Sequence, residues 1–168
     1  DGVKVVGSQR YRIYVNKALT LSSRTGALTD GGPIIRGAYQ VASALTKDNA
    51  AEKCGPDAVA CVRGLDKAKA VLVGIRLESG ATRAVEKSHG GGAYTVTLRN
   101  CAVSDCVAAE YGGGAYSCNT EGCTIENCIA AGSGTNHGGG VREGRHTNDV
   151  IIACHSANHG GAAATATC

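Results

Sequence analysis

A glycine phrase that recurs four times constrains this chain more than any other feature. It reads Ser88-His89-Gly90-Gly91-Gly92-Ala93-Tyr94, Glu110-Tyr111-Gly112-Gly113-Gly114-Ala115-Tyr116, Asn136-His137-Gly138-Gly139-Gly140-Val141 and Asn158-His159-Gly160-Gly161-Ala162-Ala163. The glycine runs begin 22, 26 and 22 residues apart. A second phrase keeps step between them: Leu98-Arg99-Asn100-Cys101-Ala102-Val103, Ile125-Glu126-Asn127-Cys128-Ile129-Ala130 and Ile151-Ile152-Ala153-Cys154-His155-Ser156. Such a period specifies stacked supersecondary units, each burying its apolar face only against its neighbours.

Composition says what kind of stack. The 168 residues include 25 Gly and 9 Cys but no Phe, Trp or Met. Without large aromatic or thioether side chains, the interior must be narrow and filled by Val, Ile, Leu, Ala and Cys. Short coils must also turn sharply several times per circuit. Three glycines in succession remove every Cβ where adjacent backbones crowd, so Gly90, Gly91, Gly92, Gly112, Gly113, Gly114, Gly138, Gly139, Gly140, Gly160 and Gly161 read as structural turns. A phosphate-cradling loop would need a helix after it, and Tyr94-Thr95-Val96-Thr97-Leu98 is strand-like instead.

The chain reads as one domain, 1–168. Residues 1–37 form the first coils, with period-two alternation at Val3, Val5, Ile13 and Val15. Residues 38–58 break the rhythm as a loop insertion with room for one or two helical turns, and 59–168 are regular coils rich in Gly and Cys. Aligning the second phrase gives an inward column of Ile75, Cys101, Cys128 and Cys154, at offsets of 26, 27 and 26. Asn100 and Asn127 then hold the corner that Gly74 holds one coil earlier, as suits residues that tolerate left-handed backbone.

Cysteine pairing stays open at this level. Cys54 and Cys61 bracket a turn and either close a small disulfide loop or are unrelated; Cys118 and Cys123 flank a polar turn and are the better candidates for a local bridge. Stacked Cys101, Cys128 and Cys154 lie within disulfide reach but fit a dry column of free thiols as well, the reading favoured here. Nine cysteines and Asp1 in place of Met raise the expectation of a chain exported after loss of a leader segment.

Net charge is +3 without basic runs, which gives no sign of nucleic-acid binding, and no stretch has the length and apolarity of a membrane span. The acidic residues and the histidines bear on two chemistries. Asp105 and Glu110 share a coil, but aligned coils build no column of carboxylates for acid-base work or calcium. His89, His137 and His159 precede glycine runs where Tyr111 precedes the fourth. Adjacent histidines could share zinc or copper, but Tyr in the same slot favours a ring that shields the turn. No metal or other cofactor is expected.

The alternation of GGGAY or GGGV with LRNCAVSDC and IENCIAAGS resembles the degenerate repeats of bacterial surface β-helix proteins. It is similar to the GGA-[ILV] and F-x-x-N repeats of polymorphic outer-membrane-protein autotransporter passengers, over residues 70–163 most clearly. The phenylalanine of F-x-x-N is absent; Leu98 and Ile125 stand in its place, followed by Asn100 and Asn127. The resemblance implies an all-β, right-handed parallel β-helix of about six or seven coils, extracellular or on the bacterial cell surface. It also implies a non-catalytic adhesin, stalk or self-assembling module that meets a glycan or host-surface ligand. The alternative is a carbohydrate-active β-helix enzyme of the polysaccharide lyase or glycoside hydrolase type. The strand-like run Ala164-Thr165-Ala166-Thr167-Cys168 carries no polar cap, so the expectation is that the chain continues or that copies associate end to end.

Overall fold

The computed structural model describes residues 2–28, 32–67, 69–85, 88–132 and 138–164. It is an all-β parallel solenoid. The chain enters through β1 (Lys4–Val6), which pairs antiparallel with β2 (Gln9–Val15). The first coil is β2, β3 (Leu19–Ser22) and β4 (Ile34–Arg36). After an insertion containing α1 (Ala50–Lys53), the second is β5 (Ala60–Gly64), β6 (Ala70–Val73) and β7 (Arg76–Glu78). The third is β8 (Ala93–Tyr94), β9 (Thr97–Arg99), β10 (Ala102–Ser104) and β11 (Val107–Ala108). The fourth is β12 (Ala115–Tyr116), β13 (Asn119–Glu121), β14 (Thr124–Glu126) and β15 (Ile129–Ala130). The fifth is β16 (Val141–Arg142), β17 (His146–Thr147), β18 (Val150–Ile152) and β19 (His155–Ser156), and β20 (Ala163–Ala164) opens another.

Equivalent strands of successive coils pair in parallel and build four faces. The first runs β2-β5-β8-β12-β16-β20, the second β3-β6-β9-β13-β17, the third β4-β7-β10-β14-β18 and the fourth β11-β15-β19. The sheets do not close into a barrel. Five coils and the start of a sixth are described, against the six or seven expected.

The third, fourth and fifth coils each turn at four left-handed residues placed five apart. In the third coil they are Gly90 (φ 65°), Thr95 (55°), Asn100 (48°) and Asp105 (53°); in the fourth, Gly112 (59°), Ser117 (50°), Gly122 (63°) and Asn127 (48°). Asn100 does share a corner with Gly74 (φ 65°), since Arg76 pairs with Ala102. Asn127 belongs to the next corner, with Ser79 and Asp105, and its Nδ2 donates to Asp105 Oδ1 at 2.6 Å. The second and third glycines of a run are demanded by crowding: a Cβ on Gly113 would lie 2.3 Å from Ile129 O, and one on Gly114 2.6 Å from Gly140 O. No side chain fits where coils approach so closely.

The five-residue spacing also sets what points inward. Ala93, Val96, Leu98, Cys101, Val103 and Cys106 fill the third coil, with Ala115, Cys118, Thr120, Cys123, Ile125 and Cys128 directly beyond them. Register corrects the expected column of Ile75, Cys101, Cys128 and Cys154. Because Ala102 pairs with both Arg76 and Thr124, and Thr124 with Val150, one column is Ile75, Cys101, Cys123, Asp149. Because Ala81 pairs with Val107, Val107 with Ile129 and Ile129 with His155, the other is Gly80, Cys106, Cys128, Cys154. The offset between coils three and four is 22, not 27, and a five-residue slip lays one cysteine on another.

The proposed local bridges are not formed. Cys54, Cys61, Cys118 and Cys123 are free thiols. Cys54 belongs to a small outer cluster with Leu45, Ala50, Ala58, Val107 and Ile129, where the insertion covers the fourth face, whereas Cys61 lies in the solenoid core. Cys123 meets Cys101 of the neighbouring coil. Buried Lys53 fastens the insertion, its Nζ donating to Val41 O at 3.0 Å and Ser43 O at 2.8 Å.

Candidate functional site

On the first face, one outward position per strand lines up from coil to coil. Ala93, Ala115 and Val141 point inward and are fully buried, so the next residue of each strand points out. Those residues are Tyr94, Tyr116 and Arg142, preceded in register by Tyr14 and Arg63. All five are half-buried.

Rings from the preceding corner close over this row. His89 pairs with Tyr111 across the coils, and their rings stand 5.0 Å apart between centroids. The His89 ring lies 4.3 Å from Tyr116 and 5.9 Å from Tyr94, and Tyr94 meets Tyr116 edge-on at 5.4 Å. Arg142 Cζ sits 3.6 Å from the Tyr111 ring centroid, and Arg63 Cζ lies 4.9 Å from that of Tyr94. Guanidinium planes on aromatic faces are attractive, more so where water is partly excluded. The result is a stack of four rings between two arginines.

Two carboxylates border it. Glu110 Oε2 lies 3.0 Å from His89 Nε2 and accepts the Ser88 N–H at 3.3 Å, and Tyr116 OH donates to Glu143 Oε1 at 3.2 Å. Burial holds His89 below its ordinary pKa despite Glu110, and burial beside Glu143 pushes the Tyr116 hydroxyl up to about 12. Both groups are therefore neutral hydrogen-bonding surfaces near neutral pH. Arg142 Nε comes no closer than 3.9 Å to Glu143, beyond hydrogen-bond reach. Arg142 Nε and Nη1 and His89 Nδ1 are buried without a hydrogen-bond partner. The two Arg142 N–H groups can serve an incoming oxygen ligand, whereas neutral His89, its proton on Nε2 toward Glu110, offers Nδ1 as an acceptor.

Around the corner, the second face carries a groove of about 480 Å³ lined by Thr97, Arg99, Asn119, Glu121, Arg145 and Thr147. Arg99 Nε is 3.3 Å from Glu121 Oε2. Comparison with family models, curated proteins and solved structures finds no match. The site is therefore read from its own geometry.

Sequence reasoning placed His89 and Tyr111 in one slot over the glycine turn, and the structure puts their rings there together. It missed Tyr94, Tyr116, Arg63 and Arg142. The available signal was the residue after the inward Ala or Val of each glycine phrase: Tyr, Tyr, then Arg. His137 lies outside the described residues. No group of three or more His, Cys, Asp or Glu side chains is arranged to hold a metal ion among the described residues. Asp105 builds no carboxylate column, since Asn127 and then Ala153 follow it in register. Cys106, which sequence reasoning left out, stands in the core above Cys128.

Proposed function

We propose that this chain is a non-catalytic extracellular or cell-surface module, wound as a right-handed β-helix, that presents its first face to a glycan. The in-register row of Arg63, Tyr94, Tyr116 and Arg142 carries the reading. Sugar rings pack their C–H faces on aromatic rings, and a row spaced by parallel strands suits a chain of repeating units. Arginines at both ends, with unpartnered donors on Arg142, favour a glycan bearing carboxylate or sulfate groups. Right-handed winding is the sense that parallel crossover connections adopt in nearly all proteins.

The test is direct binding of neutral and uronate-containing oligosaccharides to the whole chain by calorimetry. Binding of the acidic series, lost in Tyr116→Ala and Arg142→Ala, is the expected result; equal affinity for the variants, or no binding in either series, overturns it. The same incubations read the enzyme alternative, for which the His89–Glu110 pair beside Arg142 is the relevant observation. Appearance of shortened oligosaccharides would mark an enzyme.

End-to-end association of copies is a second reading. It rests on β18, which ends its sheet among the described residues with Val150 54% and Ile152 47% exposed. Sedimentation of the native chain over a concentration series tests it.

A further inference from the structure

Thiols of four successive coils lie against one another through the core. Cys61 contacts Cys106, Cys106 contacts Cys128, and Cys128 contacts Cys154. The first three are fully buried. Cys154 is half-exposed, the single cysteine of that kind among the eight described. Its thiol donates to Ile152 O at 3.3 Å, and Cys128 donates to Glu126 O at 3.2 Å, so both sulfurs hang from equivalent positions of adjacent coils. Parallel neighbours are spaced about 4.8 Å, inside the roughly 4.4 to 6.8 Å between Cα atoms that a disulfide accepts. The separate contact of Cys101 with Cys123 lacks an accessible member, both being buried, and Asp149 follows them in the column. Among the described cysteines, access singles out one pair.

We propose that Cys128 and Cys154 form a redox modification site that reacts with low-molecular-weight disulfides of the glutathione class and closes into a disulfide between coils. The Cys154 sulfur attacks one sulfur of the incoming disulfide, passing its proton to the adjoining Cys128 sulfur, and the incoming S–S bond breaks to release one thiolate. The Cys128 sulfur then attacks Cys154, forming the Cys128–Cys154 bond and releasing the second reduced thiol. Two electrons pass from the protein to the reagent, and the two thiol protons leave with the departing thiolates. Cys154 is the entry sulfur and Cys128 the resolving one.

The experiment uses the whole chain in buffers of graded oxidised-to-reduced glutathione ratio, quenched with an alkylating reagent and read by intact mass and peptide mapping. The expected result is loss of two free thiols, with the Cys128 and Cys154 peptides joined. Cys128→Ala, which keeps a small apolar side chain in the column, should retain glutathione on Cys154, and Cys154→Ser, which lacks the accessible sulfur, should leave the Cys128 thiol free in every buffer. Glutathione persisting on Cys154 of the unaltered chain, a bond lacking either residue, or an unchanged thiol count in the most oxidising buffer overturns the proposal.

Discussion

Cys61 Sγ lies 2.8 Å from the point that a Cβ on Gly80 would occupy. One coil later the residues are exchanged. Gly92 follows in the register of Cys61, and Cys106 in that of Gly80, with a Cβ on Gly92 falling 3.2 Å from Cys106 Sγ. One corner supplies the sulfur and the other yields the space, so the thiol column continues although its source changes sides. Gly80 is confined by backbone as well, since the same Cβ would lie 2.1 Å from Gly91 O. Gly80→Ala should therefore destabilise the chain by about 1–3 kcal/mol in urea unfolding, the range of forced core overpacking. Cys61→Ala removes only the sulfur contact and should rescue little of that loss. Full rescue by Cys61→Ala would show that the backbone contact is not limiting.

Much of this arrangement was readable from the sequence. Glycine starts spaced 22, 26 and 22 residues match the first-face register, Ala93 to Ala115 to Val141 to Ala163. The sharing of a corner by Gly74 and Asn100 was readable too, because both residue types tolerate positive φ. The inward column was not. Cys101 and Cys106, and Cys118, Cys123 and Cys128, recur every five residues, so an alignment by cysteine has several equally good registers. Only strand pairing chooses among them. The aromatic row escaped notice because two-residue strands such as β8 and β12 are too short to display alternation.

Ala153 turns its corner at φ 51° and is exposed. An L-residue there costs roughly 1–2 kcal/mol, and glycine avoids that at a loss of about 0.5–1 kcal/mol in chain entropy. Ala153→Gly should stabilise the fifth coil by about 0.5–1 kcal/mol in chemical denaturation. Asn127→Gly at the equivalent corner should not gain, because it gives up the 2.6 Å bond to Asp105.

Lys53 is fully buried, and its ammonium bonds carbonyl oxygens of Val41 and Ser43 while lying 5.1 Å from the Tyr39 ring centroid. All these partners belong to the insertion. Lys53→Met keeps the stem but removes the donors, losing hydrogen bonds to a charged group at about 1.5–3 kcal/mol each. Limited proteolysis should then cut within residues 38–58 much faster, while the parallel sheets keep their circular-dichroism signal. Simultaneous loss of both would place the insertion at the heart of the fold's stability.

His146 enters the solenoid interior where earlier coils place Leu72, Leu98 and Thr120. Its side chain is 3% exposed, as is that of Asp149, and Thr120 Oγ1 lies 2.7 Å from its Nδ1 while bonding Asp149 Oδ2 as well. His146 Nε2 has no hydrogen-bond partner. Burial lowers the His146 pKa below 6.5 and outweighs the opposing pull of Asp149; Lys67 lowers it further. The sign of the pH effect follows. Below about pH 6.5 the unfolded chain takes up a proton that folded His146 resists, so stability falls as pH drops toward the folded-state pKa. The limiting slope for one histidine is about 1.4 kcal/mol per pH unit. His89, also lowered by burial, acts in the same direction. The melting temperature should thus decline from pH 7 to pH 5, and His146→Gln, which keeps hydrogen-bonding capacity without a titrating ring, should flatten part of the decline. His89→Gln added to it should flatten most of the remainder. An undiminished slope in the double variant would assign the acid sensitivity to carboxylates instead.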